Sequence, residues 1–138
     1  MTTEATPRTV VTRYIEAVAT GDLPTIRSSF SEDATWTYPG TDLPLSGTWR
    51  GRDTILNDFL GKATASLFTP GTTPTITLTN VLADGPTVIA EWRAQAEAAT
   101  GARYDNHCLG IFTVHAGKIT KVREYTDTRH AAQALFGL

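Results

Sequence analysis

The spacing of the apolar residues changes from a helical period to a strand period about half-way along the chain. In the first half, apolar residues recur every three or four positions, which predicts amphipathic helices. The first helix begins after Thr6 with Pro7, a typical cap followed by a proline, and ends at Gly21. The same spacing predicts a second, short helix over residues 23–30 and a third helix after Asp53, which would cap it.

Alternation of apolar and polar residues predicts strands, one in the first half and four in the second. The predicted strands cover residues 34–38, 76–82, 86–94, 104–115 and 118–127. Residues 31–33 are expected to separate the second helix from the first strand, and a last short helix is expected over residues 129–136. Helices first and antiparallel strands afterwards favour an α+β fold, with residues 1–138 in one domain.

Composition narrows the classes of partner. The 138 residues include 12 Lys and Arg and 14 Asp and Glu, so the net charge is −2, and the pI is about 5.9. This balance predicts neither a nucleic acid nor an anionic membrane as partner. The chain has no signal-peptide pattern at its start and no apolar run of the roughly 20 residues that cross a bilayer, so a cytoplasmic location is expected. A single Cys, no glycine loop for phosphate and no cluster of ligand residues predict no disulfide, no cofactor and no metal.

Both faces of the predicted central strands are apolar near the middle. Residues two apart in a strand share a face, so Trp92 should point inward with the other apolar residues of its strand. In the next strand, Asn106 and Cys108 share one face, while Leu109 and Ile111 share the other. Helices would cover one face, and a second copy of the chain is the simplest cover for the other. We therefore expect a homodimer through the face of Leu109 and Ile111.

The turn between the last two strands decides where Glu124 points. A three-residue loop over residues 115–117 would close with Val114 opposite Lys118, which places Glu124 opposite Cys108 on the inner face. A two-residue loop would reverse this assignment. A carboxyl group in apolar surroundings resists ionisation, so an inward Glu124 is a candidate general acid or base. The alternative is an ordinary strand glutamate paired with Lys or Arg at the rim.

Two long segments resemble known proteins. TRYIEAVATGDLPTIRSSFSEDATWTYPG resembles the opening of ketosteroid isomerase, and YDNHCLGIFTVHAGKITKVREYTDT is similar to the closing strands of SnoaL-like cyclases, limonene-epoxide hydrolases and phenazine-biosynthesis A/B proteins. All belong to the nuclear transport factor 2-like superfamily. The resemblance implies a cone: a curved antiparallel sheet wrapped over three N-terminal helices, with a short C-terminal helix and one enclosed pocket. It also implies a homodimer through the convex face of the sheet.

The resemblance assigns roles only where single residues match. Tyr14 matches a tyrosine that donates to the oxyanion in ketosteroid isomerase, whereas Tyr38 and Gly110 stand where that enzyme has its two carboxyl groups. Glu124 stands where epoxide hydrolases and phenazine-biosynthesis proteins keep a catalytic acid. The Arg and Asp of the epoxide hydrolases are replaced here by Trp92 and Ala94.

The residues selected by strand alternation and by the resemblance form one candidate site. Glu124, Tyr14 and Tyr38 are the predicted catalytic residues. The predicted ligand-binding residues are Trp36, Trp92, Asn106, Cys108 and, as a rim acid, Asp58. For Asn106 the alternative is a bond to Thr126 across the hairpin, and the aromatic residues could instead simply fill the core. The predicted function is cofactor-independent proton transfer (isomerisation, cyclisation or dehydration) on a small hydrophobic organic molecule. The alternatives are a non-catalytic ligand-binding or dimerisation module and an epoxide hydrolase.

Overall fold

The helices of the chain lie on one side of a six-stranded sheet. The computed structural model describes residues 5–138, so the first four residues of the expected domain lie outside it. The helices are α1 (Pro7–Thr20), α2 (Leu23–Ser28), a π-helix (Thr54–Thr64) continued by a 3₁₀ turn (Ala65–Leu67), and α3 (Thr128–Phe136). No helix within the described range is long and apolar enough to cross a membrane.

The first helix forms as its sequence predicts. The Thr6 hydroxyl accepts a hydrogen bond from the Thr9 N–H at 3.2 Å, and Pro7 occupies the first turn. Gly21 ends the helix with a φ of 73°, a left-handed conformation that glycine adopts without strain. The apolar stripe of α1 is buried and contacts four strands of the sheet. This packing directs Tyr14 toward the concave face of the sheet.

The strands form one sheet in the order β2-β1-β6-β5-β4-β3. They are β1 (Phe30–Tyr38), β2 (Gly47–Arg50), β3 (Thr75–Asp84), β4 (Thr87–Glu97), β5 (Arg103–His115) and β6 (Lys118–Thr126). All neighbours are antiparallel except β1 and β6, which are parallel. The α+β class is confirmed, with the difference that the sheet is mixed. The difference arises because β1 pairs with a strand some 90 residues away, which no local pattern encodes.

Two details of the first half differ from the sequence prediction. The second helix ends at Ser28, and residues 30–33 extend β1 instead of forming a break, because Phe30 pairs with Ile119 of β6. Asp53 makes no cap hydrogen bond to the helix that follows. Its carboxylate instead forms an ion pair with Arg27, at 3.0 Å.

The hairpin between β5 and β6 has a different register from the predicted one. His115 pairs with Lys118, so the loop has two residues, Ala116 and Gly117, both with positive φ. A bulge at Thr120, between the pairs Val114–Ile119 and Thr113–Lys121, then shifts the register once more. Together the two shifts place Glu124 opposite Gly110 and not opposite Cys108. Beyond the bulge, in residues 121–126, the total displacement is two residues, so Glu124 and its neighbours keep their predicted faces, whereas Lys118 and Ile119 lie on the opposite face from the predicted one.

Candidate active site

A cavity of about 1330 Å³ lies between the concave face of the sheet and the helices. It is larger than the 300–1,000 Å³ typical of sites for small ligands. Most of its wall is apolar and aromatic, with contributions from α1, the π-helix and β5. Apolar lining residues include Ile15, Leu56, Phe59, Leu60, Phe68 and Phe112.

Glu124 projects from β6 into this cavity. It is partly buried and belongs to the lining of the cavity. Its Oε1 accepts a hydrogen bond from the indole Nε1 of Trp36 at 3.0 Å. Burial raises the pKa of Glu124 to about 7, although the bond from Trp36 acts in the opposite direction by stabilising the carboxylate. A carboxyl group with this pKa can both accept and donate a proton near neutral pH.

Two tyrosines flank the carboxyl group. Tyr14 from α1 and Tyr38 from β1 are both buried and both line the cavity. Burial, and then the charge of Glu124, raises the pKa of each hydroxyl well above its usual value, so both stay protonated. Within residues 5–138, neither hydroxyl has a hydrogen-bond partner. Each is therefore a neutral donor available to a ligand.

Tyr104 and Cys108, both on β5, add two further polar groups to the wall. Burial raises the pKa of the Cys108 thiol to about 12, and its Sγ lies 3.4 Å from the Thr126 hydroxyl. Burial also raises the pKa of Tyr104, whose ring stacks on His130 of α3 with centroids 5.4 Å apart. Sequence reasoning did not select Tyr104 as a site residue. The signal was present, because strand alternation puts Tyr104 on the same face as Cys108.

The expected rim acid, Asp58, is not among the residues that line the cavity. It lies on the π-helix with half of its side chain exposed, and it pairs with Lys62 at 3.8 Å, one turn further on. Lys62 and Arg27 are the cationic side chains of the cavity lining within residues 5–138, and Arg27 is held by Asp53. Both cations thus have carboxylate partners other than Glu124.

Asn106 is buried but does not line the cavity, so its predicted ligand-binding role is corrected. Its side-chain Nδ2 donates to the Asp127 carbonyl at 3.1 Å, and its Oδ1 accepts from the Asp127 N–H at 3.2 Å. The expected alternative, a bond to Thr126, is also replaced by this pair. Asp127 caps α3 through the His130 N–H. Asn106 therefore holds the start of α3 against β5.

We expect Asn106→Ala to lower the free energy of unfolding by about 2–3 kcal/mol, because both backbone groups of Asp127 lose their partner. Urea denaturation measures the effect. Asn57→Ala is the control: Asn57 is exposed, and its removal should change stability by only about 0.5 kcal/mol. Equal stability of the two variants would contradict the assigned role of Asn106.

Trp92 and Gly110 shape the wall beside Glu124. Trp92 lines the cavity and packs against Phe112, with ring centroids 6.3 Å apart. A Cβ on Gly110 would lie 2.5 Å from Phe112 Cε1 and 3.0 Å from Trp92 Cζ3. The absence of a side chain at Gly110, opposite Glu124, therefore leaves room for the rings of Phe112 and Trp92. An acidic side chain at this position would displace both rings.

The profile of the SnoaL-like domain matches residues 11–122, which is most of the chain. The chain belongs to the SnoaL-like family. No curated protein matches this SnoaL-like chain.

Solved structures share the SnoaL-like fold over nearly the full length. Bal32a, from a soil-derived mobile gene cassette, is 29% identical with a TM-score of 0.81, over 94% of this chain and 95% of that one. A nuclear transport factor 2-like protein of Burkholderia xenovorans LB400 is 27% identical, with a TM-score of 0.75 and coverages of 96% and 99%. TerC, co-crystallised with polyporic acid, is 19% identical, with a TM-score of 0.80 and coverages of 94% and 98%, which shows the fold alone. The predicted superfamily and its cone fold are confirmed.

Within the SnoaL-like cone, the structure brings together six of the eight predicted site residues. Those that line the cavity are Glu124, Tyr14, Tyr38, Trp36, Trp92 and Cys108. Asn106 and Asp58 lie outside its lining. Among residues 5–138, no three His, Cys, Asp or Glu side chains come together as metal ligands.

Proposed function

We propose that this SnoaL-like protein catalyses proton transfer on an uncharged hydrophobic organic molecule bound in the cavity. The observation that carries the proposal is the placement of Glu124, a carboxyl group with a pKa of about 7, in an apolar wall between two tyrosines. A perturbed carboxyl group inside a large concave site is a typical feature of acid–base catalysis.

The substrate class follows from the charges around the cavity. Around Glu124 the cavity wall offers the neutral hydroxyl groups of Tyr14 and Tyr38 as donors, and Glu124 itself is the carboxyl group that titrates. The cationic lining residues, Arg27 and Lys62, are already paired with acids. An anionic ligand beside Glu124 would meet like charge without a compensating cation. A carbonyl compound with an acidic C–H group and large apolar rings or chains suits both the chemistry and the size of the cavity.

The reaction would use Glu124 as a base and then as an acid. Glu124 takes the proton from the carbon next to the substrate carbonyl, and the electron pair of that C–H bond moves to the carbonyl oxygen. The hydroxyl of Tyr14 or Tyr38 donates a hydrogen bond to the oxygen as its charge develops. Return of the proton from Glu124 to a second carbon gives isomerisation. Attack of the enolate carbon on a second carbonyl group, with the proton going to the new alkoxide, gives cyclisation, and dehydration can follow.

Hydrogen–deuterium exchange tests this function without knowledge of the natural substrate. A panel of uncharged aromatic and polycyclic ketones is incubated with the protein in D₂O, and mass spectrometry follows deuterium at the carbon next to the carbonyl. We expect accelerated exchange for ligands that bind, with an apparent pKa near 7 in the pH profile. Ligands that bind with no exchange at any pH would contradict the proposal and favour a ligand-binding module.

We also propose that the protein is a homodimer through the outer face of the sheet. This face carries Leu82 and Tyr125, which are 57% and 48% exposed, next to the half-buried Leu109 and Ile111. The strand register puts Leu109 beside Tyr125 and connects Leu82 to Ile111 through Ile89, with Glu91 and Arg123 as their other neighbours. The apolar residues therefore form a patch across four strands. A surface of this kind in water favours association.

The mass of a single chain is 14.9 kDa, and light scattering at micromolar concentration should give twice this value. Leu109→Glu should give the monomer mass because it buries charge in the interface. Leu23→Glu is the control, since Leu23 is exposed on α2 away from this face. A monomeric wild-type protein would contradict the proposal.

A further inference from the structure

We infer that Trp36 is the positioning residue for Glu124: its indole N–H occupies one carboxylate oxygen and leaves the other as the atom that exchanges a proton with the ligand. This inference rests on the proposed proton-transfer function. Its structural basis is the bond of 3.0 Å between Trp36 Nε1 and Glu124 Oε1, which joins β1 to β6 inside the cavity.

Surrounding aromatic rings hold the indole in place. Trp36 is only 3% exposed, and its ring lies 5.5 Å from that of Phe59 and 6.3 Å from those of Tyr14, Phe30 and Phe112. These contacts come from α1, the π-helix, β1 and β5. A donor fixed from so many sides cannot follow the carboxyl group if it rotates. The carboxyl group must therefore adopt the orientation that the indole dictates.

The hydrogen bond from Trp36 gives the two carboxyl oxygens of Glu124 different roles. An indole N–H only donates, so it cannot accept the proton of a neutral carboxyl group. The proton of the acid form therefore resides on Oε2, which has no hydrogen-bond partner within residues 5–138. The same atom of the ionised form takes the proton from the ligand. Trp36 thus selects which oxygen acts and stabilises the carboxylate that forms when the proton leaves.

The other titratable groups around Glu124 do not substitute for this role. Tyr14 of α1, Tyr38 of β1, and Tyr104 and Cys108 of β5 face it, and burial raises the pKa of each. They remain protonated in the range where Glu124 titrates. The lining cations Arg27 and Lys62 are paired with Asp53 and Asp58. Trp36 is therefore the donor within the described residues whose removal should change the ionisation of Glu124.

Trp36→Phe tests the inference because it keeps an aromatic ring and removes the N–H. The pKa of the Glu124 carboxyl group, followed by ¹³C NMR in the ligand-free protein and assigned with Glu124→Gln, should rise by about 1, a tenfold change in the ionisation constant. On a substrate found by deuterium exchange, kcat should fall while KM changes little, and the pH profile should shift to higher pH with the carboxyl group.

Trp49→Phe is the matched control. Trp49 also donates its indole N–H, to the Leu45 carbonyl at 3.0 Å, and also packs on Phe59, at 5.2 Å. Its replacement should leave the pKa of Glu124 unchanged. If Trp36→Phe does not fold, β-(3-benzothienyl)alanine at position 36 keeps the fused ring with sulfur in place of N–H, and the same rise is expected.

An unchanged pKa of Glu124 in both position-36 variants would overturn the inference, as would an equal shift in Trp49→Phe. Failure of the proposed function would give a different result: the wild-type protein would show neither exchange nor turnover. In that case the pKa of Glu124 in the ligand-free NMR titration would still change when the Trp36 N–H is removed.

Discussion

Replacing Glu124 with glutamine is expected to lower the rate of proton exchange or turnover by a factor of about 10² to 10⁴, the usual contribution of a general acid–base group. Glutamine has the same shape and can still accept the hydrogen bond that Trp36 donates to Glu124. It has no proton-accepting oxygen of comparable basicity. The cavity and its tyrosines should remain in place, so ligand affinity should change far less than the rate.

Glu16→Gln is the control for this measurement. Glu16 is an exposed acid on α1, so its replacement should leave the rate unchanged. Initial rates and dissociation constants of both variants, measured with the same ligand, separate loss of chemistry from loss of binding. If Glu124→Gln retained wild-type turnover, Glu124 could not be the group that moves the proton.

The sequence predicts most of the fold because local patterns determine it. The cap at Thr6, the stop at Gly21 and the alternation along β4 and β5 each act within a few residues. Long-range pairing is not encoded in this way. The parallel pairing of β1 with β6 turned the expected break at residues 31–33 into part of a strand.

The inward orientation of Glu124 was predicted from a wrong register. The shorter loop alone would have reversed its face, and the bulge at Thr120 alone would have done the same. Since both occur, Glu124 returns to the predicted face. Alternation thus predicts the face of a residue only within a regularly paired stretch, and it predicts neither the face beyond a bulge nor the residue that lies opposite, because bulges leave no clear trace in the sequence.

Hydrogen-bond partners were the least predictable part of the site. Asn106 is a polar residue on an apolar face, which suggests either a ligand contact or, slightly better, a structural bond across the hairpin. Only the position of Asp127 in the folded chain shows that both ends of the Asn106 amide are already used. The bond between Trp36 and Glu124 likewise joins residues 88 positions apart.

The burial of Glu124 should also make stability depend on pH. Its pKa is about 7 in the folded protein against 4.5 for the free side chain, so the folded state binds the proton more tightly. Between these values the folded state holds more protons than the unfolded state, and stability falls as pH rises. The difference corresponds to about 3 kcal/mol, present in full below pH 4.5 and lost above pH 7.

Glu124→Gln removes this dependence because glutamine does not titrate. We expect the variant and the wild-type protein to have similar free energies of unfolding at pH 4, and the variant to be more stable by about 3 kcal/mol at pH 8. Urea denaturation at both pH values measures the difference, and Glu16→Gln, at an exposed position, should follow the wild-type curve. A constant difference between Glu124→Gln and wild type from pH 4 to pH 8 would mean that Glu124 ionises as easily in the folded protein as in the unfolded chain. The same residue would then have no proton to exchange near neutral pH, so this measurement tests the chemistry of the site without any ligand.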